Sequence, residues 1–224
     1  MSGQLMPLFM TCILLIIVLV LHGICLSMPY YAEAPELGRA LSDIRDLESY
    51  RAYYPNMDTK YGFWEICVNM KGSTKCYSFG LKEDASSNTF KAPDWVIACQ
   101  VLSIIGLTIG AIALIFCIFF LKFSKTFLLV ACSICSITGG IIIIIADVVF
   151  AGEKSIKFFF QSDQMNFTFG SPKDKYLVAA DDAFQYGWAF GLDIATGIMC
   201  ILIGILFVIL SVLRKSDRFY LTKM

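Results

Sequence analysis

Three sets of residues in this chain have side chains suited to chemistry. His22, the only histidine, together with Gln100, Asp147 and Asp193, falls within or beside long apolar stretches. Polar groups held away from water in this way pair with one another, bind a cation or relay a proton. Cys67 and Cys76 sit in the longest polar stretch, with Glu65, Lys71 and Lys75 beside or between them, and Cys132 and Cys135 have the CxxC spacing that elsewhere serves metal or redox chemistry. No Gly-rich phosphate loop, HExxH or EF-hand spacing accompanies these groups. The residues therefore describe a protein that is not an enzyme and that calls for no cofactor.

The elements that must position these residues follow from composition. Hydrophobic residues make up 58% of the 224 and charged ones 16%, against about 45–50% and about 25% in soluble proteins. Charged side chains are absent from 1–32, 95–121, 126–146 and 194–213. Each of these runs holds a window near the roughly 20 residues that a helix needs to cross hydrocarbon. Four transmembrane helices are expected, over 5–26, 95–121, 126–150 and 186–213, in a single domain spanning 1–224. Zero net charge gives no reason to expect nucleic acid as a partner.

The short link Lys122 to Lys125 and the segment 214–224, with Arg214, Lys215, Arg218 and Lys223, are basic. By the positive-inside rule both face the cytoplasm, as does the N-terminus, which places loops 28–94 and 151–185 outside. Tyr30, Tyr31, Trp95, Tyr186 and Trp188 then fall near the outer membrane surface, where amphipathic rings prefer to lie. Residues 1–27 also resemble a secretory signal, with Cys25 and Ser27 placed like a cleavage site, but no Lys or Arg precedes the core and the run is long enough to span.

Placed on these helices, seven of the nine cysteines lie within or beside apolar spans, leaving Cys67 and Cys76 in the oxidising exterior, where they should pair. Closing such a loop restricts the unfolded chain by about 2.5–3 kcal/mol in the loop-entropy model. Tyr61 to Asn69 and Thr74 to Gly80 are rich in β-forming residues, and Lys71-Gly72-Ser73 suits the turn of a hairpin between them. Cys132 and Cys135, inside an apolar helix with no histidine near, are read as packing, with Cys117 and Cys132 as weaker candidates for an acyl chain. His22, Gln100, Asp147 and Asp193 each belong to a different helix, within about two turns of its outer end, and are expected to meet as interhelical glue, with His22 or Gln100 partnering Asp193. Gly106-xxx-Gly110 and Gly187-xxx-Gly191 suit close helix packing.

Gly62-Phe63-Trp64, then Cys67 and Cys76, set in a long first loop between spans, with Tyr186-Gly187-Trp188-Ala189-Phe190 opening the fourth helix, resemble the claudin superfamily. That group takes in claudins, peripheral myelin and epithelial membrane proteins, calcium-channel gamma subunits and AMPA-receptor regulatory proteins. Its Gly, apolar, Trp, two residues, Cys, short run, Cys pattern is matched position by position, with Phe63 where Leu is usual, and the resemblance covers the whole chain. It implies a mainly α integral membrane protein: a left-handed four-helix bundle beneath a small extracellular antiparallel β-sheet. In that family the Trp anchors the sheet near the membrane and the cysteines staple two strands, roles that would pass to Trp64, Cys67 and Cys76. Claudins also carry a Trp after the first helix and an Arg before the second, where this chain has Tyr30, Tyr31, Asp94 and Trp95.

Two function classes follow from the resemblance. One is a cell–cell junction or adhesion protein of the plasma membrane, shaping the paracellular barrier, with Glu65, Lys71 and Lys75 tuning ion passage. The other is an auxiliary, gamma-like subunit that modulates the trafficking or gating of a channel or receptor. Partners would be membrane lipid and other membrane proteins, a second copy among them. Leu37, Leu41, Ile44 and Leu47 suggest a short amphipathic helix in the first loop, Asn166-Phe167-Thr168 is a glycosylation sequon at Asn166, and Thr222-Lys223-Met224 has the shape of a weak PDZ ligand.

Overall fold

The computed structural model describes residues 5–34, 58–70, 73–80, 89–92, 94–153 and 185–221. The 37–48 segment, Lys71, Asn166 and the last three residues lie outside them. Its elements in chain order are α1 (Leu5–Ser27), β1 (Ala32–Ala34), β2 (Asp58–Tyr61), β3 (Glu65–Met70), β4 (Ser73–Gly80), β5 (Thr89–Lys91), α2 (Asp94–Phe123), α3 (Thr126–Glu153), β6 (Gln185–Tyr186) and α4 (Trp188–Leu221). All four helices are long and apolar enough to cross a membrane.

Helix ends follow local chemistry. Ser124, at a φ of 55°, turns the chain out of α2 and closes the helix by donating its amide to the Phe120 carbonyl at 2.8 Å. Only Ser124 and Lys125 then separate α2 from α3, a tighter link than the four residues expected. The last helix runs past Arg214 to Leu221 instead of stopping at the first charge. Lys and Arg are good helix formers, so charge ends the apolar span without ending the helix. Arg214 leaves its guanidinium over the Phe120 ring, 4.6 Å from the centroid.

The chain forms two compact units. One is built from 1–24, 101–148 and 192–224, and its core gathers Leu15, Ala113, Leu129, Cys132, Ile203 and Phe207. Its α3–α4 contact is a seam of small residues. Ser133 donates to the Gly204 carbonyl at 2.8 Å and Ser136 to the Cys200 carbonyl at 3.0 Å, while a Cβ on Gly140 would stand 2.5 Å from the Gly197 carbonyl oxygen. The positions 133, 136, 140 and 197, 200, 204 both advance by three and four, the spacing of a left-handed seam. Between α2 and α3, Cys132 donates to the Ala113 carbonyl at 3.1 Å. Gly106 and Gly110 pack as their spacing suggests, against Ile143 and Leu19. Gly191 instead has open space around its Cα, and Gly187 serves the other unit, so that second motif is not a helix seam.

The other unit, 25–100 and 149–191, carries a six-stranded sheet ordered β5-β4-β3-β2-β1-β6. Four pairings are antiparallel, but β4 and β5 run parallel, joined through 81–88, so the sheet is not wholly antiparallel as expected. The expected first hairpin strand, 61–69, is divided: Tyr61 ends β2, and Gly62-Phe63-Trp64 turns into β3, closed by the Gly62 amide donating to the Glu65 carbonyl at 2.9 Å. Met70 faces Ser73, so a two-residue connection joins β3 to β4.

Behind the sheet lies a set of rings around Phe150, which is fully buried. Its centroid is 5.3 Å from Tyr31, 5.6 Å from Tyr61, 5.3 Å from Phe63, 5.9 Å from Trp95 and 6.2 Å from Phe190. Residues from the first inter-helix segment, β2 included, and from the first turns of α2 and α4 thus share one ring as their common contact. Replacing Phe150 with alanine should cost about 3–5 kcal/mol. The check is thermal unfolding of the purified protein followed by near-ultraviolet circular dichroism, with loss of the aromatic signal at lower temperature than in the parent.

Candidate functional site

Strand register assembles the first candidate. Cys67 and Cys76 are directly opposed on β3 and β4, and their sulfurs are bonded at 2.05 Å. Directly paired residues share a face and neighbours along a strand alternate. The Cys76, Cys67, Lys60, Glu33 and Gln185 pairings therefore form one continuous row from β4 to β6. Glu65, two residues from Cys67, lies on the same face. Lys75 pairs with Val68 and so lies on the opposite face, exposed. The charges expected to act together are thus divided by the sheet, and the cation beside Glu65 is Lys60, whose ammonium lies 4.8 Å from the Tyr30 ring centroid. Period-two alternation from Cys67 would have found the division; the Lys60 pairing needed the register. Glu65, Cys67 and Cys76 also lie close enough to share a metal ion, but with the two sulfurs bonded to each other only the carboxylate remains to ligate one.

The Gly-Phe-Trp turn has distinct tasks at its three positions. Gly62 is required because a Cβ there would meet the Met28 carbonyl oxygen at 2.5 Å. Phe63 is fully buried, 4.2 Å from the Tyr31 ring. Trp64 is 38% exposed and is tied in by its carbonyl, which accepts the Phe79 amide at 2.7 Å. Gly187 repeats the Gly62 logic: a side chain there would strike the Tyr30 carbonyl, and its own amide donates to the Tyr31 carbonyl at 2.9 Å.

The second candidate is polar and lies among the helices. His22 Nδ1 is 2.5 Å from Asp193 Oδ1, and both side chains are buried. His22 Nε2 faces the Ser103 carbonyl at 3.4 Å, so both ring nitrogens look at acceptors. Thr196 donates to the Asp193 main-chain carbonyl at 2.7 Å, with Asp193 Oδ1 at 3.1 Å. Asp147, fully buried, makes no well-formed hydrogen bond through either carboxyl oxygen, and the carboxylate acting on it is Asp193. Each of the four helices contributes, with Ser103 taking the place expected of Gln100. Gln100 donates instead to the Phe63 carbonyl at 2.6 Å in the sheet unit, because the turn carbonyl of this buried residue needs a donor. A serine within an apolar helix carries no signal that would have singled out Ser103.

Further cysteine chemistry is structural. Cys12 and Cys117, expected to be unpaired, are bonded to each other and link α1 with α2. Cys117 and Cys132 are both fully buried, which removes them as acylation candidates.

Removing one partner of a buried hydrogen-bonded pair leaves the other unsatisfied, which costs more than replacing both by apolar residues. Asp193→Leu should therefore lower thermal stability more than the double variant His22→Leu/Asp193→Leu does. The comparison is made by thermal unfolding of nanodisc-embedded protein; equal losses would mean that the pair does not hold the helices together.

A search among curated proteins returns no match. A protein-family model described as PMP-22/EMP/MP20/Claudin tight junction matches residues 46–209, from the first polar segment to the last helix. That match takes in well over half of the chain, and the chain accordingly belongs to the PMP-22/EMP/MP20/claudin family.

Proposed function

We propose that this chain is a claudin-like cell–cell junction or adhesion protein of the plasma membrane that shapes the paracellular barrier. In this reading both termini are cytoplasmic and the sheet unit lies outside the cell, where it meets other membrane proteins, including its own copies. The observation that carries the proposal is β4: Ser73, Thr74, Lys75, Cys76 and Ser78 are all exposed, on a strand held by the Cys67–Cys76 disulfide. Rigid, exposed strands suit recognition because little ordering entropy is lost on contact. The family description, with its reference to tight junctions, supports the same class. Neither observation depends on an enzyme activity.

Cells carrying a fluorescently tagged copy, mixed with cells lacking it, provide the test. Enrichment only where two expressing cells touch is expected. Uniform surface label, or retention until a second membrane protein is supplied, would assign the chain to the auxiliary-subunit class instead. In a monolayer, Lys75→Glu should shift the ratio of cation to anion permeability more than Glu65→Lys, because Lys75 is exposed and Glu65 is partly buried.

A further inference from the structure

On the sheet face that carries the disulfide lies a hollow of about 410 Å³, lined by Cys67 and Cys76, by Met28, Pro29 and Tyr30, and by Lys60 and Glu65. That volume lies in the range of small-ligand sites. Three features define what fits it.

The first is charge. Lys60 is paired with Cys67, and Glu65 is two residues along the same strand from Cys67, so the two are diagonal neighbours with backbones about 7–8 Å apart. Among the described residues they form no ion pair with each other or with any other group. One ammonium and one carboxylate, separated and unpaired, complement a ligand that carries an anion and a cation on a short linker. The second is acceptor content. Thr74 and Asn69 also line the hollow, and Asn69 Oδ1 makes no hydrogen bond. The third is location. The wall residues 28–30 directly follow the end of the first apolar span at Ser27. The Tyr30 ring packs 5.6 Å from Trp188, the first residue of the last span, and Trp188, Tyr186 and Trp64 are all substantially exposed. Aromatic side chains of this kind mark the depth of lipid headgroups.

We propose that this hollow seats the headgroup of a zwitterionic phospholipid, with its phosphate on Lys60 and its ammonium on Glu65. A zwitterion meets both charges that line the hollow, whereas an anionic headgroup lacking the ammonium places no cation on Glu65. The hollow takes in Thr74 and Cys76 of the β4 strand on which the junction reading rests, but the groups that hold the headgroup, Lys60 and Glu65, lie on β2 and β3, and labelling in nanodiscs tests them without any cell contact.

The test uses the full chain in phosphatidylcholine nanodiscs doped with phosphatidylethanolamine that carries a photoreactive group near its headgroup, with labelled peptides mapped by mass spectrometry. Labelling of the segments around Met28–Tyr30 and β2–β3 is expected. Lys60→Gln/Glu65→Gln should lower it about tenfold, in keeping with loss of at least one charge-assisted hydrogen bond. An unchanged unfolding temperature and an intact Cys67–Cys76 bond show that the variant is folded. A matching phosphatidylglycerol probe, which has the phosphate but no ammonium, should label the same peptides weakly. Equal labelling of parent and variant, equal labelling by the two lipids, or displacement of the label by free phosphoethanolamine with no lipid adduct in the hollow would each overturn the proposal. So would protection of the hollow by a second copy of the chain.

Discussion

Hydrocarbon offers no hydrogen-bond partner, and the helical half of this protein is arranged around that fact. Backbone groups are satisfied within each helix, but a polar side chain placed there depends on a partner on its own turn or on a neighbour, which Asp147 and the Ser103 hydroxyl do not find. Ser133 and Ser136 reach carbonyls of the last helix, Cys132 reaches one on the second, and His22 reaches Asp193 from the first. Close approach makes these reaches possible. With a methyl group on Gly140 the α3–α4 seam would have to open, and the hydroxyls of Ser133 and Ser136 would lose their acceptors. Small residues and polar residues in this bundle are thus two parts of one solution.

The sheet unit solves a different problem. A sheet of short strands, two to eight residues each, buries little apolar area per strand and needs a common anchor. Phe150 supplies it from the end of α3, and the disulfide fixes the pairing of the two longest strands. Glycine enters where another backbone passes: Gly62 under Met28 and Gly187 under Tyr30. The motif that marks the family is therefore a packing requirement. Its glycine admits the backbone that follows the first helix, its second residue fills the ring cluster, and its cysteine closes the staple.

Much of this is legible in the sequence, for reasons that differ by element. The four spans stand out because absence of charge over some twenty residues has one common physical meaning, and the hairpin because strand-forming residues flank a turn and end in cysteines. His22, Asp147 and Asp193 stand out because ionisable groups are costly in such surroundings. The role of Ser103 is not legible, since a serine is tolerated at many places in a helix. Nor is that of Phe150, which reads as one more apolar residue until five rings are found around it. The division of Glu65 from Lys75 follows from alternation along two strands, but the joining of Glu65 with Lys60 requires knowing which strand lies alongside. The parallel β4–β5 pairing has no local mark at all.

The sheet draws its strands from distant parts of the chain, and that imposes an order on its assembly during synthesis. The Cys67–Cys76 hairpin is complete once residue 80 has emerged, but β1 receives its second neighbour only with Gln185–Tyr186, more than a hundred residues later. Phe150 likewise arrives after Tyr31, Tyr61 and Phe63 have been waiting for it. Until the third helix is made, the early strands hold a rigid staple over an unfilled core.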